Sequence, residues 1–319
     1  MTDGVEQEGL IEALRACGLL KAGGGATLRP LTGGVSSDVF RVDTGDGRAL
    51  VVKRSIPRLR VKAEWLAPVE RVAGEVRWLK LARSIDPRLA PEVLAELPEA
   101  HVFVMEFLDP AAHPVWKDEM AAGRVDPTFA AAVGRDLALI HARTAGRPDI
   151  AAAFDTYPFF FDLRVSPFLL FTAERHGDVA PRLRVLADDL GRRKVALMHG
   201  DVSPKNILVG PRGPVFLDAE TTAYGDPAFD LAFCLTHLLL KTMWLRPHRE
   251  RVMAAFEALR GAYAAGLTWE PPQGLSARAA PLTAALLLAR IDGKSPAPYL
   301  TDPADKALVR EAAKALLAA

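Results

Sequence analysis

The run His199-Gly200-Asp201-Val202-Ser203-Pro204-Lys205-Asn206-Ile207-Leu208-Val209, followed by Val215-Phe216-Leu217-Asp218-Ala219-Glu220, sets the tightest limits on this chain. Apolar stretches flank its polar residues, so the acids and the amide stand on loops that leave a buried scaffold. Such loops hold charged groups without fully hydrating them. An acid, an amide five residues on and a second acid after a short hairpin can converge on one point. Two carboxylates and an amide oxygen are hard ligands of the kind Mg²⁺ takes, with phosphate oxygens and waters completing its octahedron.

The rest of the composition excludes several classes. Across 319 residues, 40 Lys+Arg stand against 39 Asp+Glu, which gives no overall pull toward nucleic acid or anionic lipid. Cys17 and Cys234 lie far apart, which argues against a disulfide framework or a structural zinc site and suits a reducing compartment. The N-terminal segment is acidic and amphipathic, without the basic and apolar regions of a secretory signal. The longest apolar runs, around 228–240 and 281–291, are short or carry a charge. The expectation is a soluble cytoplasmic protein with no nucleic-acid and no membrane partner; a homodimer is not indicated and stays open.

Periodicity divides the chain. Residues 26–31, 38–43 and 48–54 read as strands, the last two joined by Thr44-Gly45-Asp46-Gly47, a hairpin signal. Val69, Val72, Val76 and Leu79 mark one face of a helix, and 93–97 and 101–108 form a further strand pair. From Asp109 onward, helices are expected at 126–143, 227–244, 247–265, 275–291 and 303–317, around a β-rich island at 195–199, 206–209 and 215–217. Two unequal lobes follow, a sheet-based one at 1–108 and a helical one at 109–319.

The H-G-D-x-x-x-x-N string with its following D-x-E resembles the catalytic signature of the aminoglycoside-phosphotransferase and choline-kinase-like family, a branch of the protein-kinase fold. The resemblance implies an α+β bilobal kinase-like fold, with a small antiparallel-sheet N-lobe and a larger, mainly helical C-lobe. It implies that Asp201 orients and deprotonates an acceptor hydroxyl, that Asn206 and Asp218 hold Mg²⁺ on ATP, and that Glu220 serves the metal or its surroundings. The N-lobe extends the likeness. Gly33, Gly34, Ser36 and Ser37 fit the family's looser glycine/serine phosphate loop, where glycines admit close backbone approach and hydroxyls donate to phosphate. Lys53 ends an apolar strand as the lysine of the α- and β-phosphates does, and Glu75, at the edge of the helical stripe, is its expected partner. Glu106 and Leu108 would meet the adenine edge through main-chain atoms at the hinge. Asp230, in Gly225-Asp226-Pro227-Ala228-Phe229-Asp230-Leu231-Ala232, and His199 are expected to support the loop rather than to react.

What the resemblance implies is an ATP- and Mg²⁺-dependent O-phosphotransferase acting on a small hydroxylated molecule: a sugar-like metabolite, an amino alcohol or an aminoglycoside. The segment around Lys53 and Trp65, with the D-x-E, is also similar to methylthioribose kinases, although Asn206 departs from that group. Ser203, Ala219 and Glu220 depart from protein kinases. Arg246, Arg249, Arg251, Arg278 and Arg290 lean the acceptor toward neutral or anionic chemistry. The alternatives are a catalytically silent nucleotide-binding relative and a protein kinase. Gly293-Lys294-Ser295 is a false P-loop, because Leu288 stands where a glycine is required.

Overall fold

The computed structural model describes residues 2–21, 24–31, 36–60 and 65–318. Helix α1 (Thr2–Ala16) precedes β1 (Ala26–Pro30), β2 (Ser37–Thr44), β3 (Ala49–Ser55), α2 (Arg71–Ile85), β4 (Val93–Leu97) and β5 (Val102–Glu106). The strands form one antiparallel sheet in the order β1-β2-β3-β5-β4. Gly47, at φ 86°, supplies the left-handed residue that the β2–β3 turn needs, and the register sets Val39 opposite Lys53. Leu10 and Leu14 of α1 pack with Val42, Leu50, Val52, Val102 and Val104 as a small cluster on one face of the sheet.

The other side of the sheet joins a much larger core. Phe103 and the buried stripe of α2 (Val72, Val76, Trp78, Leu79) share one cluster with Leu137, Leu197, Phe216 and Phe229 of the helical region. That region opens with α3 (Trp116–Ala121), α4 (Pro127–Thr144), α5 (Pro148–Ala153) and α6 (Tyr157–Phe160). A π-helical segment, Phe161–Leu170, runs on into α7 (Phe171–Arg175), and α8 (Ala180–Arg192) follows. Two short ribbons come next: β6 (Ala196–Met198) pairs with β9 (Ala223–Gly225), and β7 (Ile207–Gly210) pairs with β8 (Gly213–Phe216). Helices α9 (Ala228–Trp244), α10 (Arg249–Ala265), α11 (Pro272–Asp292) and α12 (Pro303–Ala318) complete the order.

Local chemistry explains the starts and contacts. Asp126 accepts the Thr128 N–H at 2.8 Å and Pro127 opens α4, as the Asp-Pro pair predicts. A Cβ on Gly134 would stand 2.3 Å from the Leu259 carbonyl, so α4 and α10 pack backbone to backbone only because this residue is glycine. No helix is expected from the sequence between 148 and 192; Pro158 and Pro167 interrupt the pattern and the pieces up to 175 are short, but α8 buries a regular stripe of Leu183, Leu186, Ala187 and Leu190 that the expectation overlooks. Helix α11 is long and apolar enough to cross a membrane, but 67% of its apolar window is buried inside the fold.

Candidate active site

The loop after β6 is held from below by one buried acid. Asp230, in the first turn of α9, accepts the N–H groups of His199 at 2.6 Å and Gly200 at 2.8 Å. His141 Nε2 lies 3.2 Å from the same carboxylate, and its Nδ1 lies 2.7 Å from the Tyr263 hydroxyl. Gly200 has φ 82°, and a Cβ there would come 2.5 Å from the Thr221 carbonyl. His199 donates from Nε2 to the Leu217 carbonyl at 3.0 Å, and its Nδ1 accepts the Asp201 N–H at 3.2 Å. Its ring lies edge-on to Trp78, and burial lowers its pKa, so the imidazole is a neutral strut.

Asp201 is buried and anchored through one oxygen. Its Oδ2 meets Asn206 Nδ2 at 2.8 Å, an Arg164 guanidinium nitrogen at 3.0 Å and Lys205 Nζ at 3.2 Å. Among the described residues Oδ1 carries no such contact, so it is the atom open to a hydroxyl. Burial raises the carboxyl pKa, but Arg164 and Lys205 outweigh it and the net direction is down. Asn206 uses its amide nitrogen on Asp201 and leaves Oδ1 as the donor oxygen for a cation.

The second acid comes from the end of the β7–β8 ribbon. Asp218 sits at φ 68°, an unusual conformation for a residue with a side chain, and its Oδ1 lies 2.5 Å from Lys53 Nζ. Lys53 also reaches Glu75 Oε1 at 2.7 Å. Burial alone would lower the lysine pKa; Asp218 and Glu75 overcome it, and the ammonium is held charged. Burial pushes Glu75 up to about 7. Its Oε2 is buried without a partner among the described residues.

The expected residues therefore fall into four groups. Lys53, Glu75, Asp201, Asn206 and Asp218 converge. Ser36 and Ser37 are buried at the start of β2, and Ser37 Oγ has no partner among the described residues; Gly33 and Gly34 lie outside the described residues. Leu108 N–H makes no hydrogen bond among the described residues, while the Glu106 N–H donates to Glu92 O at 2.9 Å. Glu220 is engaged elsewhere than at Asp201: its Oε2 accepts from Arg71 Nε at 3.0 Å.

Sequence reasoning missed Arg164, Lys205 and Arg71. A lone arginine in the apolar run at 160–170, and an arginine four residues before Glu75, were the available signals. It also overcounted the basic wall. Arg278 is bound by Asp226 and Glu270, Arg246 pairs with Asp305, Arg249 reaches the Thr242 carbonyl and Arg251 lines a separate groove with Trp116 and Phe129, whereas Arg290 feels the charge of Asp201.

Comparison with known proteins bears on the family and the fold. A methylthioribose kinase of Enterobacter sp. (strain 638) is 26% identical over 240 residues, covering 66% of this chain and 59% of that protein. One from Escherichia coli O45:K1 is 28% identical over 231 residues, covering 63% of this chain and 54% of that protein. The match thus spans less than two thirds of these relatives' length. Among solved structures, the fold is similar to an amicoumacin kinase in complex with AMP-PNP, Ca²⁺ and Ami, with a TM-score of 0.62 and 13% identity over 100% of this chain and 96% of that one. It is also similar to the choline kinase of Streptococcus pneumoniae, with a TM-score of 0.55 and 15% identity over 98% and 99% of the two chains. The model of the phosphotransferase enzyme family (APH) matches residues 27–275, and the chain belongs to that family.

Proposed function

We propose that the protein transfers the γ-phosphoryl group of ATP to a hydroxyl of a small molecule. The observation that carries this reading is the juxtaposition of two held acids: Lys53 binds Asp218, Asn206 binds Asp201 through Oδ2, and the field of Asp218 reaches Asp201. Family membership supports the reaction class. The relatives' names cover methylthioribose and choline kinases, so they leave the acceptor open.

The donor set suits Mg²⁺. Asn206 Oδ1 and Asp218 Oδ2 are hard oxygens left over from the contacts above. When bound, Mg²⁺ would neutralise charge on the triphosphate. Lys53, kept protonated by its two acids, would bind the α- and β-phosphates, and the Ser37 hydroxyl would donate to phosphate. The Glu106 carbonyl and Leu108 N–H would meet the adenine edge. Asp201 Oδ1 would accept the hydroxyl hydrogen and aim the oxygen in line with phosphorus. Because its pKa is lowered, Asp201 is a weak base, so alignment and electrostatics account for most of its effect. A Glu220 contact to the metal would have to use Oε1, the oxygen left outside its bond to Arg71 Nε.

Asp201→Asn keeps the shape and removes the acceptor. Turnover of ATP across a panel of hydroxylated metabolites should fall by about 10²–10⁴-fold, with Mg-ATP affinity little changed. Unchanged turnover in the variant would overturn the role given to Asp201.

A further inference from the structure

Outside the triphosphate side of the site, the wall next to Asp201 is cationic and lacks the acids that would balance it. Helix α9 carries Phe233, His237 and Lys241 at four-residue spacing, so they stand one above another on a single face. This stripe begins one turn after Asp230, the acid that holds the catalytic loop. Arg164, bound to Asp201, lies over the rings of Phe168 and Phe233 at 5.8 Å each. Arg290 of α11 lies over the same Phe168 ring at 5.9 Å. Phe233 meets the His237 ring at 5.0 Å, and His237 Nδ1 lies 3.4 Å from the Tyr299 hydroxyl. The Tyr299 ring in turn lies 4.4 Å from Lys241 Nζ, with Trp244 at 5.5 Å. These contacts form one continuous path from Asp201 to Lys241.

Charge along that path is uncompensated. Lys241 is 1% exposed, and among the described residues its ammonium has no hydrogen bond or carboxylate, only the two ring faces. Arg290 is 8% exposed; it donates from one guanidinium nitrogen to the Ser295 carbonyl and hydroxyl, and its Nε is buried without a partner among the described residues. Asp118, whose field reaches Lys241, is itself paired with Lys117 at 3.5 Å. Asp201, at the other end, is already shared by Arg164 and Lys205. Burying cations with no anion is unfavourable unless a ligand supplies one. Desolvation accordingly lowers both Lys241 and Arg290, with neighbouring cations adding to it.

We infer that the acceptor carries an anionic group, a carboxylate or a phosphate, on the same molecule as its hydroxyl, and that Arg290 and Lys241 bind this group while the hydroxyl lies at Asp201. The inference rests on the phosphotransfer reading and names its substrate class. Two buried cations with free donors select an anionic oxygen group, and Trp244 and Tyr299 flank it with apolar surface. The same wall works against amino alcohols and aminoglycosides, which would bring like charge to Lys241 and Arg290.

The test uses the full chain with Mg²⁺ and a saturating non-hydrolysable ATP analogue. Thermal stability is measured against hydroxylated carboxylates and sugar phosphates, their neutral counterparts and their amino counterparts: gluconate, glucitol and glucamine form one such set, and glucose 6-phosphate, glucose and glucosamine another. Upward shifts should be confined to anionic members. Lys241→Met, which folds without the uncompensated charge, should lose most of that shift; Arg290→Gln should weaken it as well. With ATP, both variants should raise KM for the anionic acceptor at least tenfold and change kcat much less. The inference is overturned if neutral or cationic members give the larger shifts, if no anionic member gives one, or if Lys241→Met responds as wild type does. Transfer to a neutral or cationic acceptor that Asp201→Asn abolishes would leave phosphotransfer standing and remove this inference. Lys241-dependent anion binding with no phosphorylation of any acceptor would do the reverse.

Discussion

At the scale of one residue, Lys241 makes the stability of the empty protein depend on pH. Burial is the larger cause that pushes its ammonium from 10.5 down to about 7; the positive fields of Lys117 and Arg290 add, while Cys234 and Asp118 oppose. His237, one turn away, is itself kept neutral by burial and by the positive fields of Arg290 and Lys241. Between the folded and unfolded values the unfolded chain holds the extra proton, so stability rises with pH from about 7 toward about 10. Below about 7 the lysine is charged in both states and the penalty is fully present. Lys241→Met should therefore stabilise the ligand-free protein near neutral pH by about 1–3 kcal/mol, with an advantage that shrinks as the pH approaches 10. Urea midpoints for wild type and variant, compared across that range, measure it. A difference that does not change with pH would show that the ammonium is not its source.

At the scale of an element, α2 ties both acids of the Asp218-Ala219-Glu220 string to the sheet. Glu75 shares Lys53 with Asp218, and Arg71, one turn earlier on the helix, binds Glu220. Arg71 is fully buried and also donates to the carbonyls of Pro68, Ser36 and Ile56, next to the start of β2. Removing it leaves Glu220 as a buried charge without its cation, so Arg71→Met should cost about 3–5 kcal/mol in urea unfolding. Adding Glu220→Leu should return part of that loss, and the double-mutant cycle measures the coupling. Strict additivity would show that Arg71 acts through the carbonyls alone. This pair also marks the limit of what the sequence discloses. Lys53, Asp201, Asn206, Asp218 and Asp230 are legible because each stands in a short string whose spacing has a chemical meaning. Arg71 finds Glu220 across 149 positions, and Arg164 reaches the Gly200 carbonyl from a π-helical segment containing Pro167, where no helical period survives to be read. The strands and α2 in the first hundred residues follow from local alternation and helical spacing, whereas α1 (Thr2–Ala16) is a helix that the expectation did not include. The short helices between 148 and 175 are fixed by packing and leave no comparable pattern, whereas α8 has a clear apolar face at Leu183, Leu186, Ala187 and Leu190 that was there to be read.

At the scale of the whole molecule, the largest apolar cluster runs across residue 108. Phe103 and the buried face of α2 lie in the same apolar cluster as α4, α9 and α11, whereas α1 and the opposite face of the sheet form a small cluster of their own. The large cluster makes unfolding of the helical region inseparable from exposure of α2 and of one face of the sheet. A single cooperative transition is then the physical consequence, even though the chain is large enough for two folding units. Leu14→Ala in the small cluster and Leu137→Ala in the large one, both at fully buried positions, should each cost about 2–5 kcal/mol and move the same transition. Calorimetry alongside near- and far-ultraviolet circular dichroism distinguishes the cases. If Leu14→Ala splits off an early transition while Leu137→Ala shifts only the late one, the sheet and α1 unfold on their own, and α2 does not couple the two layers. Coincident shifts in both variants mean that the layer carrying Lys53 and the layer carrying Asp201 are one cooperative unit. Their alignment for phosphoryl transfer would then be lost only when the whole fold is lost.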